Sequence, residues 1–175
     1  MATVSLSLDE IYKLANKTLL ANGCDQETAD ILSELITNAE RDGSLSHGLF
    51  RLPAYVSGLK SGKINGKQKP DIKKLTPSVI KADGKNCLAP VVLNKSIPEL
   101  VKAAKENGVA VLAIINSHHM AAMWPETEKI AEEGLVAFAC TSYKPAVAPA
   151  GAIKPLFGTN PISFAWPRKN NTPVV

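Results

Sequence analysis

The chain has 175 residues, of which 45% are hydrophobic and 21% are charged, and its formal net charge is +4. This length and this composition are ordinary for a globular protein with an apolar core. Only 5% of the residues are aromatic, and the lysines are scattered along the sequence. Because nucleic-acid binders more often cluster basic residues beside exposed aromatic ones, we expect no nucleic-acid binding.

The sequence also bears on the compartment. Residues 1–9 lack the basic and apolar regions of a secretory signal. No apolar run approaches the roughly 20 residues that span a bilayer. The three cysteines, Cys24, Cys87 and Cys140, are odd in number and have no Cys-x-x-Cys spacing, which favours reduced thiols. We therefore expect a cytoplasmic protein with no membrane partner.

The first 65 residues are predicted to form a small helical unit. Ser7–Glu10 has the spacing of a capping box before an apolar helical periodicity. Asp25 is predicted to cap a second helix. A third helix is predicted over Ser46–Leu59, where Pro53 would kink or delimit it.

Residues 66–175 alternate between helical and strand patterns, which predicts the first part of an α/β domain. Two continuous apolar runs, Val109–Ile115 and Leu135–Cys140, are typical of strands buried on both faces. The stretch Tyr143–Thr159 is predicted to be a long loop, and long loops in compact domains tend to carry function. The other predicted elements are a strand over Ser78–Lys81, helices over Ile97–Asn107 and Trp124–Glu133, a strand over Pro161–Trp166 and the start of a strand at Thr172–Val175.

The first cluster of residues that could take part in a reaction is Ser46-His47-Gly48, with Arg51 four residues after the histidine. On a helix, residues four apart share a face, so His47 and Arg51 would point into the same space. An imidazole that titrates near neutrality beside a carboxylate-binding cation suits a 2-oxo acid or a 2-imino acid. The same spacing also fits a capped helix start with a surface arginine, which is the commoner case.

A second cluster, Asn116–His119, follows an apolar strand, where α/β proteins often place ligand sites. A following helix N-terminus would offer N–H groups to a phosphate. A metal site is a weaker alternative, because the side chains of adjacent histidines diverge and no third ligand lies at a useful spacing. A purely structural role stays open.

A third cluster is Phe157–Pro161, before a predicted strand. Gly158 permits close backbone approach, and Thr159 and Asn160 supply hydrogen-bond donors and acceptors. The alternative is a simple turn, for which Asn-Pro is a common signal. The chain has neither a Gly-x-Gly-x-x-Gly nor a Walker motif, so a classical Rossmann or P-loop site is not supported.

Together, three ordered motifs resemble the malate/L-lactate dehydrogenase family, which is unrelated to the Rossmann-type lactate and malate dehydrogenases. Within that family the second and third motifs look most like those of the Δ1-piperideine-2-carboxylate/Δ1-pyrroline-2-carboxylate reductases. The resemblance covers essentially the whole chain. The motifs are Ser46–Arg51 with Tyr55 and Leu59–Gly62, then Asn116–Pro125, then Pro155–Ile162.

This resemblance implies NAD(P)H-dependent reduction of a cyclic 2-imino acid to the L-amino acid by a homodimer without a metal ion. It implies that His47 donates the proton, with Ser46 beside it in a relay. It further implies that Arg51 binds the substrate carboxylate and that Thr159 contacts the substrate. The cofactor, NADPH or NADH, would lie along His119, Met120, Ala121, Ala122 and Met123.

The chain departs from the family pattern in its length. Members are roughly twice as long, and their second half carries an aspartate that completes a Ser-His-Asp relay. We therefore expect a truncated or partial enzyme that is inactive alone. Two alternatives stay open: a 2-hydroxy-acid dehydrogenase of the same family, and a non-catalytic half-length homologue that acts as a binding module.

Overall fold

The computed structural model describes residues 4–175, which adopt a mixed α/β fold. The chain divides into two compact units, one that ends at Ala122 and one that begins at Met123. The division at residue 65 into a helical unit and an α/β domain stays a prediction.

The first unit begins with two capped helices, α1 (Leu8–Ala21) and α2 (Gln26–Arg41). The predicted capping box is confirmed, because Ser7 Oγ accepts from the Glu10 N–H and the Glu10 carboxylate accepts from the Ser7 N–H at 2.8 Å. The predicted cap of α2 is also confirmed, because Asp25 Oδ1 accepts from the Thr28 N–H at 2.9 Å. Both caps satisfy backbone donors that a helix start leaves without partners.

The predicted third helix is wrong in its first six residues. Two short 3₁₀ turns, Leu45–His47 and Leu49–Arg51, precede helix α3 (Leu52–Lys60). Pro53 delimits α3 as predicted, because it lies in the first turn, where its missing N–H has no helical partner to lose. His47 and Arg51 are therefore not residues of one continuous α-helix.

The main core of this unit lies among the three helices and the start of a fourth. Its largest fully buried side chains come from α1, α2, α3, the first turn of α4 (Ala89–Asn107) and the residue just before it. The helix predicted from Ile97 therefore begins eight residues earlier, and its predicted end at Gly108 is confirmed by a left-handed C-cap. The fully buried side chains in this cluster include Leu19, Leu32, Ile36, Tyr55, Leu88 and Val91.

A three-stranded sheet completes the first unit. Strand β1 (Asp71–Thr76) pairs antiparallel with β2 (Val79–Asp83), and β2 pairs parallel with β3 (Val111–Ile115). The sequence analysis placed β2 and β3 within one or two residues and missed β1.

Burial on both faces was expected for β3 and is wrong. Val111 and Ile115 are exposed, whereas Leu112 and Ile114 pack with Ala82, Cys87 and Val92 in a small second core. Helix α4 packs against β2 and β3. The first unit thus covers one face of β3, and apolar side chains on the other face meet solvent.

The second unit is an antiparallel sheet with one helix. Helix α5 (Trp124–Glu132) packs on the sheet of β4 (Ala137–Cys140), β5 (Ile162–Arg168) and β6 (Asn171–Val174), in which β5 is central. Full burial of β4 was expected and is wrong, because Phe138 is 63% exposed. Only the face toward α5 is covered, where Thr127 Oγ1 and Ser163 Oγ lie 2.6 Å apart.

None of the helices in residues 4–175 combines the length and the apolar character that crossing a bilayer requires.

Candidate functional site

The first predicted site residue, His47, ends the first 3₁₀ turn, and its imidazole is held by two serines. Its Nδ1 lies 2.9 Å from Ser46 Oγ and 3.5 Å from Ser44 Oγ. The His47 N–H also donates to the Ser44 carbonyl at 2.8 Å. The predicted neighbours Ser46 and His47 are thus in hydrogen-bond contact, and Ser44 is a further partner that the sequence analysis did not single out.

Burial and neighbouring charged groups change the pKa of His47 in the same direction. Burial lowers the pKa of this half-buried imidazole, and the nearby charge of Arg51 and the imidazole of His119 lower it further. The structure therefore brings Arg51 and His119 each within electrostatic range of His47. His47 and Arg51 are near each other although one continuous helix does not carry them, as had been expected.

Arg51 lies at the junction of the second 3₁₀ turn and α3, with part of its guanidinium buried. Its Nε and the hydroxyl of Tyr55 are both buried without a hydrogen-bond partner. Burial raises the pKa of Tyr55, and the charge of Arg51 acts in the opposite sense. Buried polar groups without partners are uncommon in native proteins and often mark functional positions.

Glu40, near the end of α2, fixes the segment that carries these residues. Its Oε1 accepts from the Leu49 N–H at 2.7 Å. Gly48 permits this approach, because a Cβ built on it would lie 2.1 Å from the same oxygen. The sequence analysis missed Glu40, since a contact between an α2 carboxylate and a backbone N–H nine residues later leaves no periodic signal.

We expect Glu40→Ala to lower the free energy of unfolding by about 1–3 kcal/mol, since it leaves the partly buried Leu49 N–H without its partner. Gly48→Ala should cost a similar amount, because the new methyl group displaces the same carboxylate. Glu40→Ala removes the carboxylate that a methyl group at position 48 would meet. The double variant, Glu40→Ala with Gly48→Ala, should therefore be no less stable than Glu40→Ala alone.

Urea denaturation followed by far-UV circular dichroism measures these changes. Glu34→Ala is the matched control, since Glu34 is an exposed glutamate of the same helix. Additive losses in the double variant would contradict the proposed contact.

The second cluster is built largely into the framework of the first unit. The Asn116 carbonyl accepts from the Asn86 N–H at 2.8 Å, and its amide donates to Asp83 at 3.1 Å. The His118 backbone bridges Cys87 and Ala89, with its N–H donating to one and its carbonyl accepting from the other. For Asn116 and the His118 backbone, these contacts support the structural alternative.

The five residues predicted to lie along the cofactor occupy the loop between β3 and α5. His119 and Met120 are half-buried, and Met120 packs against the main core of the first unit. Ala121, Ala122 and Met123 are buried by the chain itself. Of these five, His119 and Met120 therefore present the more accessible side chains.

The third cluster belongs to the second unit, where it closes the predicted long loop. Asn160 Oδ1 accepts from the Tyr143 N–H at 3.0 Å, and a Cβ on Gly158 would lie 2.1 Å from the Tyr143 carbonyl oxygen. Nearer the middle of the loop, Val147 and Phe157 form an antiparallel bridge in which the N–H of each donates to the carbonyl of the other. Thr159, the predicted substrate contact, is exposed between these fixed residues.

We expect Gly158→Ala to destabilise the second unit by about 1–3 kcal/mol, because the carbonyl it meets is backbone and does not rotate away. Both tryptophans, Trp124 and Trp166, belong to this unit, so fluorescence-detected urea denaturation reports on it. Thr159→Ala, in the same turn, should leave the midpoint unchanged. Equal midpoints for both variants would contradict the close approach to Tyr143.

Within the described residues, no three His, Cys, Asp or Glu side chains are grouped to hold a metal ion. Cys24, Cys87 and Cys140 are free, and the first two are buried.

Comparison with known proteins gives one family. A model of the malate/L-lactate dehydrogenase family matches residues 6–175. Δ1-pyrroline-2-carboxylate reductase 1 of Burkholderia ambifaria is 41% identical over 100% of this chain and 52% of its own length. The (2R)-3-sulfolactate dehydrogenase (NADP(+)) of Chromohalobacter salexigens is 38% identical over 97% of this chain and 51% of its own length.

Solved structures give the same result. The crystal structure of Δ1-piperideine-2-carboxylate reductase from Pseudomonas syringae superposes with a TM-score of 0.90 at 41% identity, over 98% of this chain and 52% of that one. Malate dehydrogenase from Pyrococcus horikoshii superposes with a TM-score of 0.89 at 32% identity, over 97% and 49%. The chain thus spans about half the length of the relatives it matches.

Proposed function

The chain belongs to the malate/L-lactate dehydrogenase family, and from that membership we propose that it contributes to NAD(P)H-dependent reduction of a cyclic 2-imino acid to the L-amino acid. The substrate would be Δ1-piperideine-2-carboxylate or Δ1-pyrroline-2-carboxylate, which are named in several of the relatives. The observation that carries the proposal is the proximity of His47 and Arg51, which end two consecutive 3₁₀ turns of one unit and interact electrostatically.

Each residue of the site has a part in this chemistry. Arg51 holds the substrate carboxylate through its guanidinium, which suits planar, bidentate recognition. His47 gives a proton to the imine nitrogen. Since Ser46 Oγ engages Nδ1, Nε2 is the atom we assign to proton transfer, with Ser46 fixing the ring and relaying the proton. The resemblance to the family also assigns Thr159 a contact with the substrate.

NADPH or NADH, when bound, supplies the hydride that reduces the imine carbon. The loop from His119 to Met123 would lie along this cofactor. Because the chain buries Ala121, Ala122 and Met123, the half-buried side chains of His119 and Met120 and the backbone would make most of these contacts. We further propose a homodimer located in the cytoplasm.

A second candidate is a 2-hydroxy-acid dehydrogenase of the same family. The 38% identity to a sulfolactate dehydrogenase and the superposition on a malate dehydrogenase favour it. His47 and Arg51 would keep their roles, since a 2-oxo acid offers the same carboxylate and a carbonyl oxygen in place of the imine nitrogen.

NAD(P)H oxidation with a substrate panel separates these candidates. This chain, and any continuation of its reading frame, would be assayed with both cyclic imines, pyruvate and sulfopyruvate. We expect kcat/KM to favour a cyclic imine by at least about tenfold, a difference near 1.4 kcal/mol in transition-state binding. A preference for 2-oxo acids supports the dehydrogenase instead. If no protein oxidises either cofactor, the binding-module alternative replaces both.

A further inference from the structure

Tyr55 is a part of the first motif to which neither the resemblance nor the proposed chemistry gives a role. It lies in α3, one helical turn after Arg51, and its side chain is fully buried in the main core of the first unit. Its ring packs in the apolar core. Its hydroxyl is buried without a hydrogen-bond partner.

Arg51 has a complementary unsatisfied atom. Its Nε is also buried without a partner, and Nε–H can only donate a hydrogen bond. A phenol oxygen can accept one, and burial raises the pKa of Tyr55, so the phenol stays neutral near neutral pH. Arg51 caps the start of α3 and Tyr55 lies four residues later in that helix. The charge of Arg51 acts on the phenol, and each of the two side chains has one buried polar atom without a partner.

Arg51 is also the residue to which the proposed function assigns binding of the substrate carboxylate. The charge of Arg51 also reaches His47, so the guanidinium lies within range of both the catalytic imidazole and the buried phenol. A guanidinium binds a carboxylate with two parallel hydrogen bonds only when its plane is correctly oriented. A hydrogen bond from Nε–H to a fixed acceptor would hold that plane in one orientation.

We propose that Tyr55 is a positioning residue for Arg51: its hydroxyl accepts a hydrogen bond from Arg51 Nε–H when a carboxylate binds, and so orients the guanidinium toward the 2-carboxylate of the substrate. This rests on the proposed function of Arg51. It makes Tyr55 a determinant of specificity for carboxylate ligands, without contact between Tyr55 and the substrate.

Tyr55→Phe tests this, because it removes only the oxygen. Calorimetry would measure binding of pyrrole-2-carboxylate, a planar analogue of the cyclic imine, and of the neutral pyrrole-2-carboxamide. We expect the variant to weaken carboxylate binding about tenfold, as for loss of one hydrogen bond to a charged group, and to leave carboxamide binding unchanged. In the assembled enzyme, KM for the substrate should rise while kcat changes little.

Stability separates positioning from a structural role. The thermal midpoint of Tyr55→Phe should be unchanged or higher, since a buried unpaired hydroxyl is removed. Tyr12→Phe is the matched control: it deletes a hydroxyl that donates to Asp30 at 3.0 Å, so it should lower the midpoint without affecting carboxylate binding. In an Arg51→Lys background, which has no Nε–H fork, Tyr55→Phe should have no further effect on binding.

The outcomes are distinguishable. If the unmodified protein does not bind pyrrole-2-carboxylate, the role of Arg51 fails and the inference fails with it. If it binds and Tyr55→Phe binds equally well, or if both ligands weaken together, only the positioning role of Tyr55 is overturned.

Discussion

Replacing His47 by alanine is expected to lower kcat for imine reduction by about 10²–10⁴, the usual contribution of a positioned general acid. The His47 imidazole lies near Arg51, and Ser46 holds its Nδ1 at 2.9 Å. Binding of NAD(P)H, followed by fluorescence, should change by less than about twofold. Steady-state NAD(P)H oxidation by the catalytically competent protein gives kcat.

Three variants control this prediction. His47→Gln keeps a polar side chain of similar reach but transfers no proton, so it should be as slow as His47→Ala. Ser46→Ala should lower kcat more than Ser44→Ala, because Ser44 Oγ lies farther from Nδ1, at 3.5 Å. If His47→Ala kept a kcat within about threefold of the unmodified protein, proton transfer would belong to another group.

Replacing Arg51 by glutamine is expected to raise the KM for the imino acid about 10- to 150-fold, the equivalent of losing hydrogen bonds to a charged group. Arg51→Lys keeps the charge but not the two parallel hydrogen bonds of a guanidinium. Its KM for the imino acid should therefore lie between those of the unmodified protein and Arg51→Gln. The KM for NAD(P)H is the internal control and should not change. Equal losses for both substrates would place Arg51 in the framework rather than in the carboxylate site.

The same variant has a pH signature. The charge of Arg51 helps to lower the pKa of His47, so a neutral glutamine favours the imidazolium and the pKa rises. In the proposed role of His47 as proton donor, reduction requires the protonated ring. The fall in kcat/KM with increasing pH should therefore begin at a higher pH in Arg51→Gln than in the unmodified protein. An unshifted or downward-shifted profile would contradict the electrostatic contact.

Local signals in the sequence predicted the starts of α1 and α2. Ser7 with Glu10, and Asp25, are short-range caps whose partners lie three residues away, so spacing alone identifies them. Strand β1 was missed because most of its residues are polar and exposed. The first turns of α4 were missed because Pro98, inside the helix, resembles a helix start.

The burial of β3 and β4 could not be predicted from composition. An apolar run shows that both faces suit an apolar environment, but it does not show which neighbouring elements are present to cover them. In this chain Val111 and Phe138 point away from the packed helices.

The site residues stay a prediction, and the geometry expected for His47 and Arg51 is wrong. His47 and Arg51 were expected on one helix face, yet two 3₁₀ turns separated by Gly48 carry them. What holds that segment is a tertiary contact, from Glu40 to the Leu49 N–H. Such contacts depend on how α2 packs, and no periodicity in the sequence reports them.

The most direct test of the central claim, that Arg51 binds a carboxylate beside His47, is an NMR titration of the imidazoles. The chain has only three histidines, so each can be followed. The account predicts that pyrrole-2-carboxylate raises the pKa of His47, because a bound negative charge favours the imidazolium, and that Arg51→Gln abolishes the rise. If the ligand binds and the pKa of His47 stays where it was, the carboxylate lies elsewhere and the account is wrong.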